Sequence, residues 1–260
     1  MKVVVCVKQT PDTAASLAVV GGKPSWGDAP LVLNPWDEYA VEQALRTKEA
    51  HGGSVTALSL GSETAKEALK QALAMGCDEA VLISDPAFGA ADSLVASAGL
   101  AAAIKRIGSP DLIFFGKAAV DTDTGVTGPQ VARRLGWSSL NLVAAITELD
   151  PAAKTITVER LLEEGRQIVR SPLPVVVSVV KEINEPRYPS FMGIRKASKA
   201  EIPTWTAADI GLQPVPAPAL TWPELIAPAR VEQSCEFIPG DTAQQQAAGL
   251  VDRLIAEKLI

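Results

Sequence analysis

Apolar and polar positions come in short alternating blocks along the first half of the chain. The run KVVVCVK at residues 2–8 is β-branched and bounded by turn residues, which predicts a buried parallel strand. After a loop holding VVGGKPSWGDAPLVL, the segment NPWDEYAVEQALRTKEAHGG has the pattern of a helix. Asn34 is its expected N-cap and Pro35 fits the first helical position. Asp37 and Glu38 suit the positive end of the dipole, and Gly52 and Gly53 end the helix. The alternation continues through SVTALSLG (strand), ETAKEALKQALAMG (helix), EAVLISD (strand), AADSLVASAGLAAAIKRIG (helix), DLIFFG (strand) and TGPQVARRLG (helix). Strands and helices taken in turn, with short connections, predict a doubly wound α/β fold around a mostly parallel sheet.

From about residue 140 the pattern changes. The stretch NLVAAITELDPAAKTITVERLLEEGRQIVRSPLPVVVSVV predicts antiparallel strands, with DPAAKT and LEEGRQ as turns, and LPVVVSVV is apolar enough to return to the main sheet. Residues 182–240 are proline-rich, with Trp205 and Trp222 interspersed, a composition that predicts an extended arm lying on a surface. DTAQQQAAGLVDRLIAEKLI closes the chain as a helix capped by Asp241, with Leu250, Leu254 and Leu259 as an apolar stripe. An arm followed by a short amphipathic helix suits the grasping of a partner; folding back on its own domain is the other reading of the same composition. The expected division is an α/β nucleotide-binding domain over residues 1–185 and a partner-binding region over residues 186–260.

Composition narrows the function classes. A net charge of −6 with no long cationic block argues against a nucleic-acid footprint. Three widely spaced cysteines and a single histidine, His51, offer no metal-site spacing, and reduced thiols in a cytoplasmic protein are the simple expectation. No stretch approaches the roughly 20 apolar residues of a membrane span, so no direct membrane insertion is expected. His51 lies at the end of an exposed helix, which leaves Ser and Cys side chains without an obvious base. A binding or carrier subunit therefore fits better than an enzyme with its own catalytic set.

The densest chemistry follows the strand DLIFFG. Residues 121–128, DTDTGVTG, hold two Asp, three Thr and two Gly, more than a connection requires. Ligands of open α/β sheets bind at the carboxyl ends of strands near a topological switch point. Gly116 allows close approach of backbone and ligand, and Thr122, Thr124 and Thr127 offer hydroxyls and N–H groups. The helix starting near Thr127–Gly128 presents its positive end, where a phosphate would gain from free N–H donors and the dipole together. A plainly capped turn is the competing reading, since Asp, Thr and Gly are ordinary loop residues and neither phosphate-binding glycine fingerprint is present. Trp36 likewise suits either stacking on a ring or filling a gap.

Several stretches, in order, resemble the beta subunit of electron-transfer flavoproteins: VKQTPDT, LNPWDEYAVEQAL, ALAMGCDEAVLISD, FFGKAAVDTDTGVTGP, VERLLEEGRQIVRSPLPVVVSV and NEPRYPSFMGIRKASKAEIP. The resemblance covers most of the chain and implies an adenine-nucleotide alpha hydrolase-like fold in a subunit that carries electrons. It also implies a heterodimer whose alpha subunit holds the redox-active FAD, taking electrons from dehydrogenases such as acyl-CoA dehydrogenases and passing them to an acceptor such as a quinone reductase. Carried over residue by residue, it assigns the nucleotide site to Cys6, Asn34, Pro35, Trp36, Asp37 and Leu60, together with Gly116, Lys117, Ala118, Ala119, Val120, Asp121, Thr122, Asp123, Thr124, Gly125, Val126 and Thr127. Trp36 takes the aromatic place near the alpha flavin. Partner recognition falls to Arg187, Tyr188, Phe191, Met192, Ile194, Arg195 and Lys196, with Phe191 as an apolar anchor inside a cationic rim. The chain reads GVT where AMP-holding members tend to have Asn-Gln-Thr, and DTDT where members with a second FAD tend to have Asp-Gly-Asp-Thr. AMP is the expected nucleotide; a flavin-based electron-bifurcating form with a second FAD in this subunit is the alternative. A stand-alone ATP- or AMP-binding protein of the same fold is the reading from another class.

Overall fold

A computed structural model describes residues 1–89, 91–220, 226 and 235–260 of the chain. It divides into two compact units, residues 1–224 and 225–260.

The first unit opens with β1 (Lys2–Cys6), then a small excursion of short strands, β2 (Gln9–Pro11), β3 (Ala18–Val20), β4 (Lys23–Ser25) and β5 (Leu31–Leu33). Helix α1 (Pro35–His51) leads into β6 (Ser54–Leu60), and a single 3-10 turn precedes α2 (Lys66–Met75). There follow β7 (Glu79–Ile83), α3 (Ser93–Ile107), β8 (Leu112–Gly116) and α4 (Thr127–Leu135). The later strands are β9 (Ser138–Asp150), β10 (Thr155–Leu162), β11 (Gly165–Pro172) and β12 (Val175–Val179), before α5 (Phe191–Ser198) and β13 (Thr204–Trp205).

Nine of these strands form one sheet in the order β11-β10-β9-β12-β8-β1-β6-β7-β13. Seven neighbours, β9 to β13 along that order, run parallel, and β10 and β11 add an antiparallel extension. The α/β expectation therefore holds, and LPVVVSVV does return to the main sheet as β12, between β8 and β9. The continuous apolar run of β1 has its cause in two-sided burial. Val3 and Val5 face a core with Val41 and Leu45 of α1 and Leu69 and Ala72 of α2. Val4 and Cys6 face one with Val95 and Ile104 of α3 and Val131 of α4. The chain runs outward from β1 through β6 to β7, then crosses back by α3 to place β8 on the other side of β1. The switch point thus lies between the carboxyl ends of β1 and β8.

The proline-rich region holds more structure than an arm. Residues 191–198 form α5, which packs on α2, and Thr204–Trp205 add β13 to the edge of the sheet. Gly193 lets the two helices approach closely, since a Cβ there would run into the Ala74 carbonyl. Farther on, one carboxylate does two jobs. Asp92 caps α3 through the Val95 N–H, and its other oxygen accepts the N–H groups of Ala219 and Leu220. Trp205 lies under the Arg106 guanidinium, whereas Trp222 falls outside the described residues. In the second unit, α6 (Ala243–Ala256) is the expected closing helix, with one correction. Its cap is Thr242, not Asp241: the Thr242 hydroxyl accepts the Gln245 N–H while the Gln245 side chain reaches back to the Thr242 N–H. Asp241 sits one residue too early for that exchange. Leu259 lies past the helix end, so the stripe rests on Leu250 and Leu254.

Candidate functional site

The head of α1 is tied to the switch point by two side chains whose sequence signature was that of ordinary capping. Asn34 occupies the N-cap position but makes no side-chain cap. Its amide instead grips the loop after β8, Nδ2 donating to the Ala118 carbonyl (2.9 Å) and Oδ1 accepting the Val120 N–H (3.1 Å). Asp37, buried in the first turn, accepts the Lys8 N–H at 2.8 Å and the Gly116 N–H at 3.3 Å. One carboxylate thereby joins the helix to the ends of both strands flanking the crevice. Burial pushes its pKa up to about 7, against the opposing pull of those N–H groups, Asn34 and the Lys8 charge. Because the folded chain holds this proton more tightly than the unfolded one, Asp37 favours folding at low pH, and that contribution is lost as pH rises toward 7.

Gly116 is the closest approach in the site. A Cβ there would stand 2.5 Å from Asp37 Oδ1, and 2.6 and 2.7 Å from the carbonyl carbon and oxygen of Trp36. The Cys6 thiol, beneath, is pushed well above its ordinary value, first by burial and then by the Asp37 charge. It is neutral wall at physiological pH. Trp36, next to Pro35 at the helix start, packs at an angle to Tyr39 and has the Lys117 ammonium 5.2 Å from its ring centre. Leu60, at the end of β6, packs against the core that contains Cys6.

The loop itself turns at Ala119, whose carbonyl accepts the N–H groups of Thr122 and Asp123. Asp121 is paired with Lys8, both carboxylate oxygens lying 2.7 Å from Nζ. Thr122 to Val126 are exposed, Asp123 and Gly125 have φ of +46° and +62°, and α4 begins at Thr127 with no side-chain cap. Among the described residues, the N–H groups of Thr124, Gly125, Val126, Thr127 and Gly128 have no hydrogen-bond acceptor. These five N–H groups follow one another at an uncapped helix start, in the loop and first turn after a central strand. That arrangement suits an anion.

Beside the loop is a cavity of about 330 Å³, walled by Lys117, Asp123, Thr124, Pro129, Asn141, Leu142 and Ser178 among others. Asn141, Leu142, Ser178 and Lys8 are site residues that sequence reasoning missed. Leu142 has φ +58° where the β9–β12 register shifts, and its N–H donates to Ser178 Oγ at 3.4 Å. Nothing in a leucine announces a left-handed backbone; Lys8, by contrast, stood in plain view at the end of the first strand. A larger cavity, about 750 Å³, lies against α3 and residues 209–212. Its arginines are already engaged, Arg134 with Ser97 and the Leu94 carbonyl, and Arg106 with Trp205 and the Asp209 carbonyl.

The recognition residues lie apart from the crevice, on and before α5. Tyr188, Phe191, Met192 and Ile194 project as a cluster of apolar side chains, 96, 79, 67 and 53% exposed. Arg195 and Lys196 flank them, also exposed. Arg187 has a different employment from theirs. Its guanidinium is held by Glu42 (2.7 Å) and Glu49 (2.6 Å) of α1, and Asn184 donates to the Tyr39 carbonyl, so the root of the segment is fastened to α1.

Comparison with known proteins fits these observations. The family profile described as "Electron transfer flavoprotein domain" matches residues 28–210. The chain is 42% identical over 211 residues to the electron transfer flavoprotein subunit beta of Clostridium acetobutylicum, covering 81% of this chain and 80% of that protein. It is 37% identical over 220 residues to Protein FixA of Azorhizobium caulinodans, covering 83 and 78%. It is 36% identical over 267 residues to the Caffeyl-CoA reductase-Etf complex subunit CarD of Acetobacterium woodii, covering 100% of both.

Proposed function

The chain belongs to the electron-transfer flavoprotein family, of the beta-subunit type, an electron carrier rather than an enzyme, and from this premise we propose that it holds AMP in the switch crevice and pairs with an FAD-bearing alpha subunit. The observation that carries the nucleotide reading is the set of five acceptor-free N–H groups at the uncapped start of α4. Neutral donors and a helix dipole suit one phosphate group, and Gly116 keeps the backbone clear of side-chain bulk. Asn34 and Asp37 would orient the loop rather than touch the ligand, because their polar atoms are spent on backbone partners. Trp36, half-buried and next to Lys117, offers an aromatic face for the alpha subunit's flavin. FAD supplies the redox chemistry; this chain supplies binding, orientation and docking. Residues 186–260 serve the partners, through the recognition segment, the arm and α6.

In this reading the subunit works in the cytoplasm, receives electrons from a dehydrogenase docked at the exposed cluster around Phe191, and delivers them to a quinone reductase or another acceptor. Co-expression with the alpha subunit should yield a yellow one-to-one complex, and mass analysis of the extracted nucleotides should give AMP beside one FAD. A second FAD in place of AMP would select the alternative, and a colourless, unpaired chain free of nucleotide would sink the proposal. Docking has its own test. Phe191→Ala should slow electron acceptance from the dehydrogenase by removing an anchor worth about 2 kcal/mol, with flavin content unchanged. Equal loss of flavin would mean that the side chain serves the fold.

A further inference from the structure

Lys8 leaves the end of β1 and Asp121 sits in the loop after β8, so their ion pair spans the switch crevice. The pair differs from a loose surface bridge. Lys8 Nζ meets both carboxylate oxygens at 2.7 Å, and Asp121 keeps only 17% of its side chain exposed. Both backbones are anchored, Lys8 by Asp37 through its N–H, and the loop by Asn34 at the residues just before Asp121. The other lysine of the site, Lys117, lies over the Trp36 ring. Lys117 keeps its charge in that contact and walls the cavity beside the loop, so an incoming anion meets one lysine, a set of uncharged N–H groups and the exposed carboxylate of Asp123.

Uncharged donors compensate a phosphate far less at long range than a lysine does. Building on the nucleotide reading of the crevice, we propose that the Lys8–Asp121 pair limits the phosphate charge the site accepts, making it selective for the adenosine monophosphate over the triphosphate. Asp121 quenches one of the two lysines beside the crevice, and Asp123 opposes each further phosphate.

The test is calorimetric titration of the full-length chain with adenosine, AMP and ATP. The wild type should bind AMP more tightly than ATP. Asp121→Asn, which releases Lys8 while keeping the side-chain shape, should raise the affinity for ATP relative to AMP by about tenfold. Lys8→Met, which leaves Asp121 without its cation, should move the same ratio in the opposite direction, with adenosine as the phosphate-free reference ligand. If both substitutions weaken all three ligands by a common factor, the pair is a fastener of the loop and the selectivity proposal falls while the nucleotide reading stands. A wild type that binds none of the three overturns both.

Discussion

Gly116→Ala should cost the chain about 3 kcal/mol and deprive the crevice of its nucleotide. β8 ends directly under the first turn of α1, and the added Cβ would press on Asp37 Oδ1 and on the Trp36 carbonyl at 2.5–2.7 Å. Neither neighbour is a flexible side-chain tip. Asp37 is held by two N–H groups, one from each strand, and Trp36 contributes backbone. Relief requires the head of α1 to lift, which pulls Asn34 off the loop at Ala118 and Val120. Thermal unfolding should fall by about 8 °C, and the complex with the alpha subunit should lose the nucleotide of this chain. A variant melting within about 2 °C of wild type, with its nucleotide retained, would show that the junction of β8 and α1 yields to an added methyl group.

Arg187→Leu should destabilise the chain by about 2–3 kcal/mol at neutral pH, with docking lost but nucleotide kept. Glu42 is buried in the middle of α1 and shares its charge between Arg187 and Arg46. Burial alone would raise its pKa, but hydrogen bonds from the two arginines outweigh that and hold it below the ordinary carboxylate range. Glu49, more exposed, is lowered chiefly by its hydrogen bond from Arg187. A depressed carboxylate stabilises the fold above its unfolded pKa and ceases to do so as pH falls through the folded value. The gap between wild type and variant should accordingly narrow on acidification below the usual carboxylate range. Denaturant unfolding at a series of pH values measures it. A gap that is constant with pH would mean the apolar stem of Arg187, not its charge, does the fastening.

These effects show where sequence was a good guide and where it was not. Apolar blocks announced the strands because β1, β8 and β12 are covered on both faces, so composition alone marks them. Helix α5 and strand β13 escaped notice because prolines at 186, 189 and 203 bracket them, and short elements on an edge carry little periodicity. At the site, Gly116 and the loop that follows stood out by residue type, and the family resemblance supplied Asn34 and Asp37. Their roles did not follow from type. Asn and Asp at a helix start are ordinary caps, and only the fold brings the loop after β8 and the end of β1 within their reach. The Lys8–Asp121 pair joins residues 113 apart, a separation no local pattern can register. The Arg187 clamp is of the same kind, since an arginine beside an exposed aromatic has the composition of a cationic rim, and only the fold sets two glutamates of α1 around it.

The antiparallel extension ends in β11, the last strand of the sheet. Such a border is an invitation to unwanted self-association, for an outermost strand offers backbone groups to any chain that arrives. Arg166, Ile168 and Arg170 share one face there, with the isoleucine 69% exposed. Two copies meeting head to tail about Ile168 would set Arg166 of one, which Glu159 already pairs, against Arg170 of the other, which among the described residues has only the Thr155 hydroxyl as partner. Bulky charged side chains on both sides of the bared isoleucine thereby discourage the molecule from stacking upon itself along this margin.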